Sequence, residues 1–147
     1  MSRIFKGRAI LPLQAEGEAL VTHAGFNTLS SFYQSILTRP KVAICSDQDN
    51  KELFGKPLTD SMLCLPKTIG STSAGATFDA VAFYGIAPKA MLYSQKIDSL
   101  SAAGLVMADV WVGTRICTID QLGDEFLEYV KDGLWIVAKE DGTVEVG

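Results

Sequence analysis

The stretch Ser61-Met62-Leu63-Cys64-Leu65-Pro66-Lys67-Thr68-Ile69-Gly70-Ser71-Thr72-Ser73-Ala74-Gly75 decides the fold class. Its apolar run from Met62 to Leu65 fits a short interior strand, covered on both faces. Pro66 stops the run, and a polar loop bounded by Gly70 and Gly75 follows. Beyond it, Phe78, Val81 and Ala82 fall at i, i+3 and i+4, the spacing of one face of a helix from Ala76 to Ile86. Gly85 and Pro88 end that helix. Ala90-Met91-Leu92-Tyr93 then reads as the next strand. Strand, loop, helix and strand in this order indicate a layered α/β domain.

Working outward, Ile4 to Leu11 and Glu18 to Thr22 read as strands, with Pro12 and Gly17 as punctuation. Gly25 to Phe32 mixes polar and aromatic residues without clear periodicity, so a loop or a short helical turn is expected there. Lys41 to Cys45 reads as a strand. Ser99 is placed to cap a helix reaching about Ala108. Ile116 to Ile119 reads as a strand, and Asp124 to Val130 as a short helix. Leu134 to Ala138 and Thr143 to Val146 flank Asp141-Gly142, the signature of a tight hairpin turn. Hairpins at both ends of strand–helix–strand units predict a mixed sheet or a partly closed barrel, in one domain over residues 1–147.

Composition narrows the function. The 147 residues hold 13 Lys plus Arg against 17 Asp plus Glu, a net charge of −4. Nucleic acid and anionic membrane surfaces need a basic stripe instead, so neither is an expected partner. The chain is 48% hydrophobic. With Gly counted and Tyr set aside the apolar share is roughly 54%, above the usual ~45–50%. Either the core is well filled or a partner covers apolar surface. Three cysteines without a close pair fit a reducing compartment. The first residues carry charges where a signal peptide needs an apolar run. No apolar run approaches the ~18–20 residues of a membrane span, so a cytoplasmic location is expected.

The loop from Gly70 to Gly75 is the strongest candidate for chemistry. A helix beginning there exposes free N–H groups and the positive end of its dipole, which suit an anion such as a carboxylate. Gly70 and Gly75 permit a tight turn and close approach of a ligand. Ser71, Thr72 and Ser73 add three hydroxyls. The same residues also suffice as a plain helix cap. The loop lacks the Gly-Lys-Ser/Thr ending of a P-loop and the Gly-x-Ser-x-Gly frame of a nucleophile elbow. A single histidine, His23, speaks against a His-based zinc site and a Ser-His-Asp triad, and reads as a surface residue. Asn27 and Thr28 are either substrate contacts or turn formers. Cys64, just upstream of the loop, is a conceivable cluster ligand but reads as a buried thiol, as do Cys45 and Cys117. Trp111 and Trp135 read as core or partner interface.

Taken in order, several segments resemble the small, swivelling subunit of the aconitase X family. They are Lys6-Gly7-Arg8-Ala9, Gly17-Glu18-Ala19-Leu20-Val21, Gly25-Phe26-Asn27-Thr28 with Ser31-Phe32, and Leu53-Phe54-Gly55-Lys56-Pro57-Leu58. The loop from Leu65-Pro66 to Gly70-Ser71-Thr72, then Pro88-Lys89-Ala90 and Asp141-Gly142-Thr143-Val144, complete the series. The resemblance implies a β/β/α swivelling domain that caps a large subunit holding an iron–sulfur cluster. It implies dehydration of a small hydroxylated carboxylate, with Ser71 as the catalytic serine. Branches of the family act on a phosphorylated mevalonate in archaea and on cis-3-hydroxy-L-proline in bacteria. Gly25-Phe26-Asn27-Thr28 is similar to the hydroxyproline branch, whose product is a pyrroline-2-carboxylate. Relatives often carry a basic residue before the motif glycine, where this chain has Ile69.

The residues are compatible with that role. Dehydration needs a base for the proton beside the carboxylate and an acid for the departing hydroxyl. Serine is a weak base, so its alkoxide needs the helix N-terminus and nearby N–H groups. Gly70, Thr72, Ser73, Lys67, Asn27 and Thr28 are the expected substrate-binding residues. A metal site within this chain is not expected. A phosphomevalonate dehydratase small subunit and a non-catalytic anion-binding regulatory domain are the competing expectations.

Overall fold

The computed structural model describes residues 2–70 and 74–147. The chain opens with β1 (Arg3–Lys6), β2 (Arg8–Leu11), β3 (Ala15–Val21), β4 (Phe26–Asn27) and α1 (Thr28–Thr38). Next come β5 (Met62–Leu65), β6 (Thr68–Ile69), α2 (Ala74–Phe83), β7 (Ala90–Tyr93), α3 (Ser99–Met107) and a π-helical turn, Ala108–Val112. It ends with β8 (Cys117–Asp120), α4 (Asp124–Tyr129), β9 (Trp135–Ala138) and β10 (Thr143–Val146).

Eight strands form one mixed sheet in the order β1-β10-β9-β3-β5-β7-β8-β2. The inner strands β3, β5, β7 and β8 run parallel, and the remaining pairs are antiparallel. The two ends of this order, β1 and β2, are consecutive in sequence and separated only by Gly7. The sheet therefore returns on itself as a nearly closed barrel, as the alternation of hairpins and strand–helix–strand units predicts. At the seam, the Gly7 N–H donates to the Gly142 carbonyl at 2.9 Å.

Side-chain alternation along the parallel strands divides the core in two. Met62, Cys64, Ala90, Leu92, Cys117 and Ile119 belong to one buried cluster, which Phe126 and Leu127 of α4 join. Leu63, Leu65, Met91, Tyr93 and Ile116 belong to the other, with Phe32, Phe78 and Leu105 of the three longer helices. Burial on both faces is why β5 and β7 read as unbroken apolar runs.

Four expectations about individual elements need correction, the first being the single strand from Ile4 to Leu11, which Gly7 breaks into β1 and β2. Gly25 to Phe32, expected as a loop or a short helical turn, holds β4 and the start of the 11-residue α1, so the helical alternative holds but the helix is longer than a turn. Asn27 caps that helix by accepting from the Ser30 N–H at 3.0 Å, and Phe26 packs edge-on to Phe32. Lys41 to Cys45 is not a sheet strand. It folds against the chain after Phe54, with Cys45 N–H on the Lys56 carbonyl and Leu58 N–H on the Ala43 carbonyl. That local pairing uses the backbone groups a sheet strand would need. Finally, Asp98 rather than Ser99 caps α3, accepting from the Ser101 N–H at 2.9 Å.

Candidate active site

The two-stranded pair β4–β6 assembles the site. Phe26 stands opposite Thr68 and Asn27 opposite Ile69 in a parallel register. The Phe26 N–H donates to the Lys67 carbonyl at 2.9 Å and extends the pairing. This ladder lies just past the C-terminal ends of β3 and β5. In open α/β sheets such ends are where ligands bind, because the helices that follow direct their N-termini there.

Three helix N-termini meet at this point. Asn27 begins α1 and packs on Gly70, where a methyl group would fall 2.9 Å from Asn27 Nδ2. Gly70 has φ of +103°, so a larger residue is disfavoured by its backbone as well as by Asn27. The helix α2 begins four residues later at Ala74. Asp98, which begins α3, accepts from the Thr68 hydroxyl. The Thr68 and Ser101 hydroxyls lie 2.8 Å apart. Burial alone would raise the Asp98 carboxyl, but the bonds from Thr68 and Ser101 outweigh it and hold it below the ordinary carboxylate range. Burial pushes the neighbouring Tyr93 phenol up. Beyond the loop, α2 rests directly on α3, since a methyl group on Gly104 would stand 2.4 Å from the Gly75 Cα. The start of α3 thus touches the chain at Thr68 and again at Gly75.

Of the sequence-predicted site residues, Asn27 and Gly70 are in contact. Thr28 is fully buried in the first turn of α1, and its Oγ1 has no hydrogen-bond partner among the described residues. Lys67 is exposed and has no ion-pair partner among the described residues. Ser71, Thr72 and Ser73 lie outside the described residues. Ile69 is 45% exposed and covers Gly25, where a methyl group would fall 2.5 Å from its Cγ2.

His23 is exposed, as read from the sequence, but it is engaged. Its Nδ1 lies 2.6 Å from Glu52 and its Nε2 3.2 Å from the Leu127 carbonyl. Burial tends to raise the Glu52 carboxyl, yet bonds from His23 and Thr22 hold it below its ordinary range. His23, Pro66, Ser94 and Leu127 line a groove of about 260 Å³ beside the ladder. Sequence reasoning missed Glu52 and the clamp of Asp98. The run Asp98-Ser99-Leu100-Ser101 carries a capping signal for α3 that could have located the latter.

The cysteines do not make a cluster site. All three are buried free thiols. Burial raises each of them, with Cys117 pushed up to about 11, opposite to the thiolate a cluster needs. Among the described residues no three His, Cys, Asp or Glu side chains converge on a common point. No described helix is long and apolar enough to cross a membrane.

The comparisons agree with this architecture. The family described as aconitase X swivel domain matches residues 4–146. The phosphomevalonate dehydratase small subunit of Aeropyrum pernix is 30% identical over 142 residues, covering 97% of this chain and 92% of that one. The protein of the same description from Archaeoglobus fulgidus is 29% identical over 143 residues, with 97% of both chains covered. The crystal structure of Thermococcus kodakaraensis aconitase X in its holo-form superposes with a TM-score of 0.82 at 24% identity, over 99% of this chain and 98% of that chain. At that identity the likeness concerns the fold. The solution NMR structure of a UPF0107 protein gives a TM-score of 0.78 at 28% identity, with 99% of both chains covered.

Proposed function

The chain belongs to the aconitase X swivel-domain family, and we propose on that premise that it is the small subunit of a hydro-lyase whose active site is shared with a large subunit. One observation carries the reading. The Asn27–Gly70 contact sets the N-termini of α1 and α2 side by side at the ends of the parallel strands. Such a place favours an anion, through backbone N–H groups and aligned dipoles.

The substrate is a hydroxylated carboxylate. Loop N–H groups and Lys67 hold its carboxylate, while the Asn27 amide lines the approach. Ser71 removes the proton next to the carboxylate as an alkoxide, and the N-terminus of α2 lowers the cost of its charge. The buried, raised thiols of the described residues do not suit an iron–sulfur cluster, and in this reading the large subunit supplies the acid that assists the leaving hydroxyl. The dehydratase descriptions of the relatives support this reaction class.

Those descriptions also support a phosphorylated mevalonate as substrate. Ile69 favours a second reading. The residue before Gly70 is apolar and exposed rather than basic, and on that ground an unphosphorylated hydroxy acid such as cis-3-hydroxy-L-proline is the second reading. Assembly with the large subunit followed by turnover assays on both compounds decides between them. Ser71→Ala is expected to abolish turnover, by roughly 10³-fold or more, while assembly is retained. Normal turnover by the assembled Ser71→Ala enzyme removes Ser71 from the mechanism. Anion binding without turnover in any complex would make the chain a regulatory domain.

A further inference from the structure

The segment from Ser99 to Val112 has one ionisable side chain, Asp109. Asp109 is committed to Arg115, whose guanidinium donates to both its carboxylate oxygens at 3.0 and 2.8 Å. Arg115 also donates to the Pro12 carbonyl at 3.0 Å, which ties the π-helical turn to the barrel. The inner face of the segment, with Ser101, Gly104, Leu105 and Ala108, is buried. The outer face is apolar as well. Leu100, Ala103, Met107, Val110 and Trp111 are all exposed and recur at helical spacing. Trp111 is 80% exposed, Val110 70%, and Phe83 at the end of the adjacent α2 is 74%. A helix that is apolar all round is normally covered on every side.

We infer that this outer face of α3 and its π-helical extension is a docking surface for the large subunit. The inference rests on the two-subunit reading above and goes beyond it by naming the surface. Continuity with the shared site identifies the occupant. The stripe begins at the site itself: Asp98 bonds Thr68, and the Leu100 carbonyl lies 3.1 Å from where a methyl group on Gly75 would stand. Leu29 of α1, Ile69 of β6 and Leu100 of α3, each on an element that carries the site, are exposed. From Leu100 the apolar stripe continues for roughly 16 Å to Trp111 without an unpaired charge. The stretch from Ile97 to Thr114 contains no Lys or Arg, which disfavours an anionic lipid surface. A second copy seated on the same face would cover Leu100 and compete with the subunit that completes the site.

Val110→Glu and Trp111→Glu, singly and together, test the inference in the full chain. Both positions are exposed, so the isolated variants are expected to keep the circular dichroism and thermal midpoint of the wild type. Titration with the purified large subunit is expected to show affinity weakened at least 100-fold for the double variant. Turnover should return when the variant is added in excess. Trp111 labelled as 5-fluorotryptophan in this chain alone is expected to shift its ¹⁹F signal on complex formation, with Trp135 as internal reference. Unchanged affinity of the double variant overturns the inference. So does self-association of the isolated wild-type chain that Trp111→Glu abolishes while heteroassembly persists, because a second copy then owns the face. A wild-type complex that forms through this face but dehydrates neither compound supports the surface and refutes the proposed reaction. Absence of any complex refutes both.

Discussion

Asp98 serves two partners with one carboxylate. It caps α3 through Ser101 and holds Thr68, three residues before Ser71. Its folded-state carboxyl lies below the ordinary value, so it titrates at lower pH in the folded than in the unfolded chain. Its stabilising contribution is therefore complete above the unfolded value, about pH 4, and is lost as pH falls through the lower folded value. Asp98→Ala is expected to cost about 0.5–2 kcal/mol at pH 7, the usual loss of an N-cap. The gap between wild type and variant in urea unfolding should shrink on acidification below about pH 4. A gap that stays constant into that range would show that the carboxylate's charge is not what holds Thr68. In the assembled enzyme the same variant should lower kcat more than it changes KM, since Thr68 belongs to β6 and is not one of the proposed substrate contacts. The capping role was legible in the run Asp98-Ser99-Leu100-Ser101, but the bond to Thr68 was not, because a capping residue announces the helix it begins and not the distant hydroxyl it also binds.

Helix α2 owes its placement to two missing side chains. The Gly75 Cα would lie 2.4 Å from a methyl group on Gly104, far inside contact distance, and the nearest atoms are backbone that cannot rotate away. Gly104→Ala must therefore part the two helices, despite the better helix propensity of alanine. The expected cost is about 1–3 kcal/mol, as for overpacking generally, read as a lowered denaturant midpoint. A neutral or stabilising outcome would mean that α2 slides without loss. At this scale the sequence was most legible where burial was complete. The apolar runs of β5 and β7 and the spacing of Phe78, Val81 and Ala82 gave strands and helix nearly in place. It was least legible where tertiary contacts decide. The helicity of α1 comes from the Asn27 cap and the Phe26–Phe32 packing, and the strand β4 that leads into it, like its partner β6, is only two residues long. Lys41 to Cys45 has the apolar content of a strand but spends its backbone bonds locally.

At the scale of the whole molecule, closure depends on Gly7. The sequence showed one strand from Ile4 to Leu11, and nothing in a linear pattern tells that its two halves would occupy opposite ends of the sheet order. The structure gives the reason for a glycine at the break. A methyl group there would lie 2.5 Å from the Asp120 carbonyl oxygen and 2.8 Å from Ile119 Cγ2. The chain thus passes from β1 to β2 in contact with β8, while its N–H reaches back to Gly142 in the β9–β10 hairpin. Arg8 fastens the same seam, donating to both carboxylate oxygens of fully buried Asp120 at 3.0 and 2.8 Å. Gly7→Ala must push β2 away from β8 or break the bond to Gly142. The expected loss is about 1–3 kcal/mol. For a chain of this length that corresponds to a thermal midpoint lower by roughly 3–10 °C. The effect should be concentrated at the seam, so hydrogen exchange should accelerate at the amides of β1, β2 and β8 before those of β5 and β7. Uniform acceleration, or an unchanged midpoint, would show that the barrel tolerates an open seam and that its closure lies elsewhere.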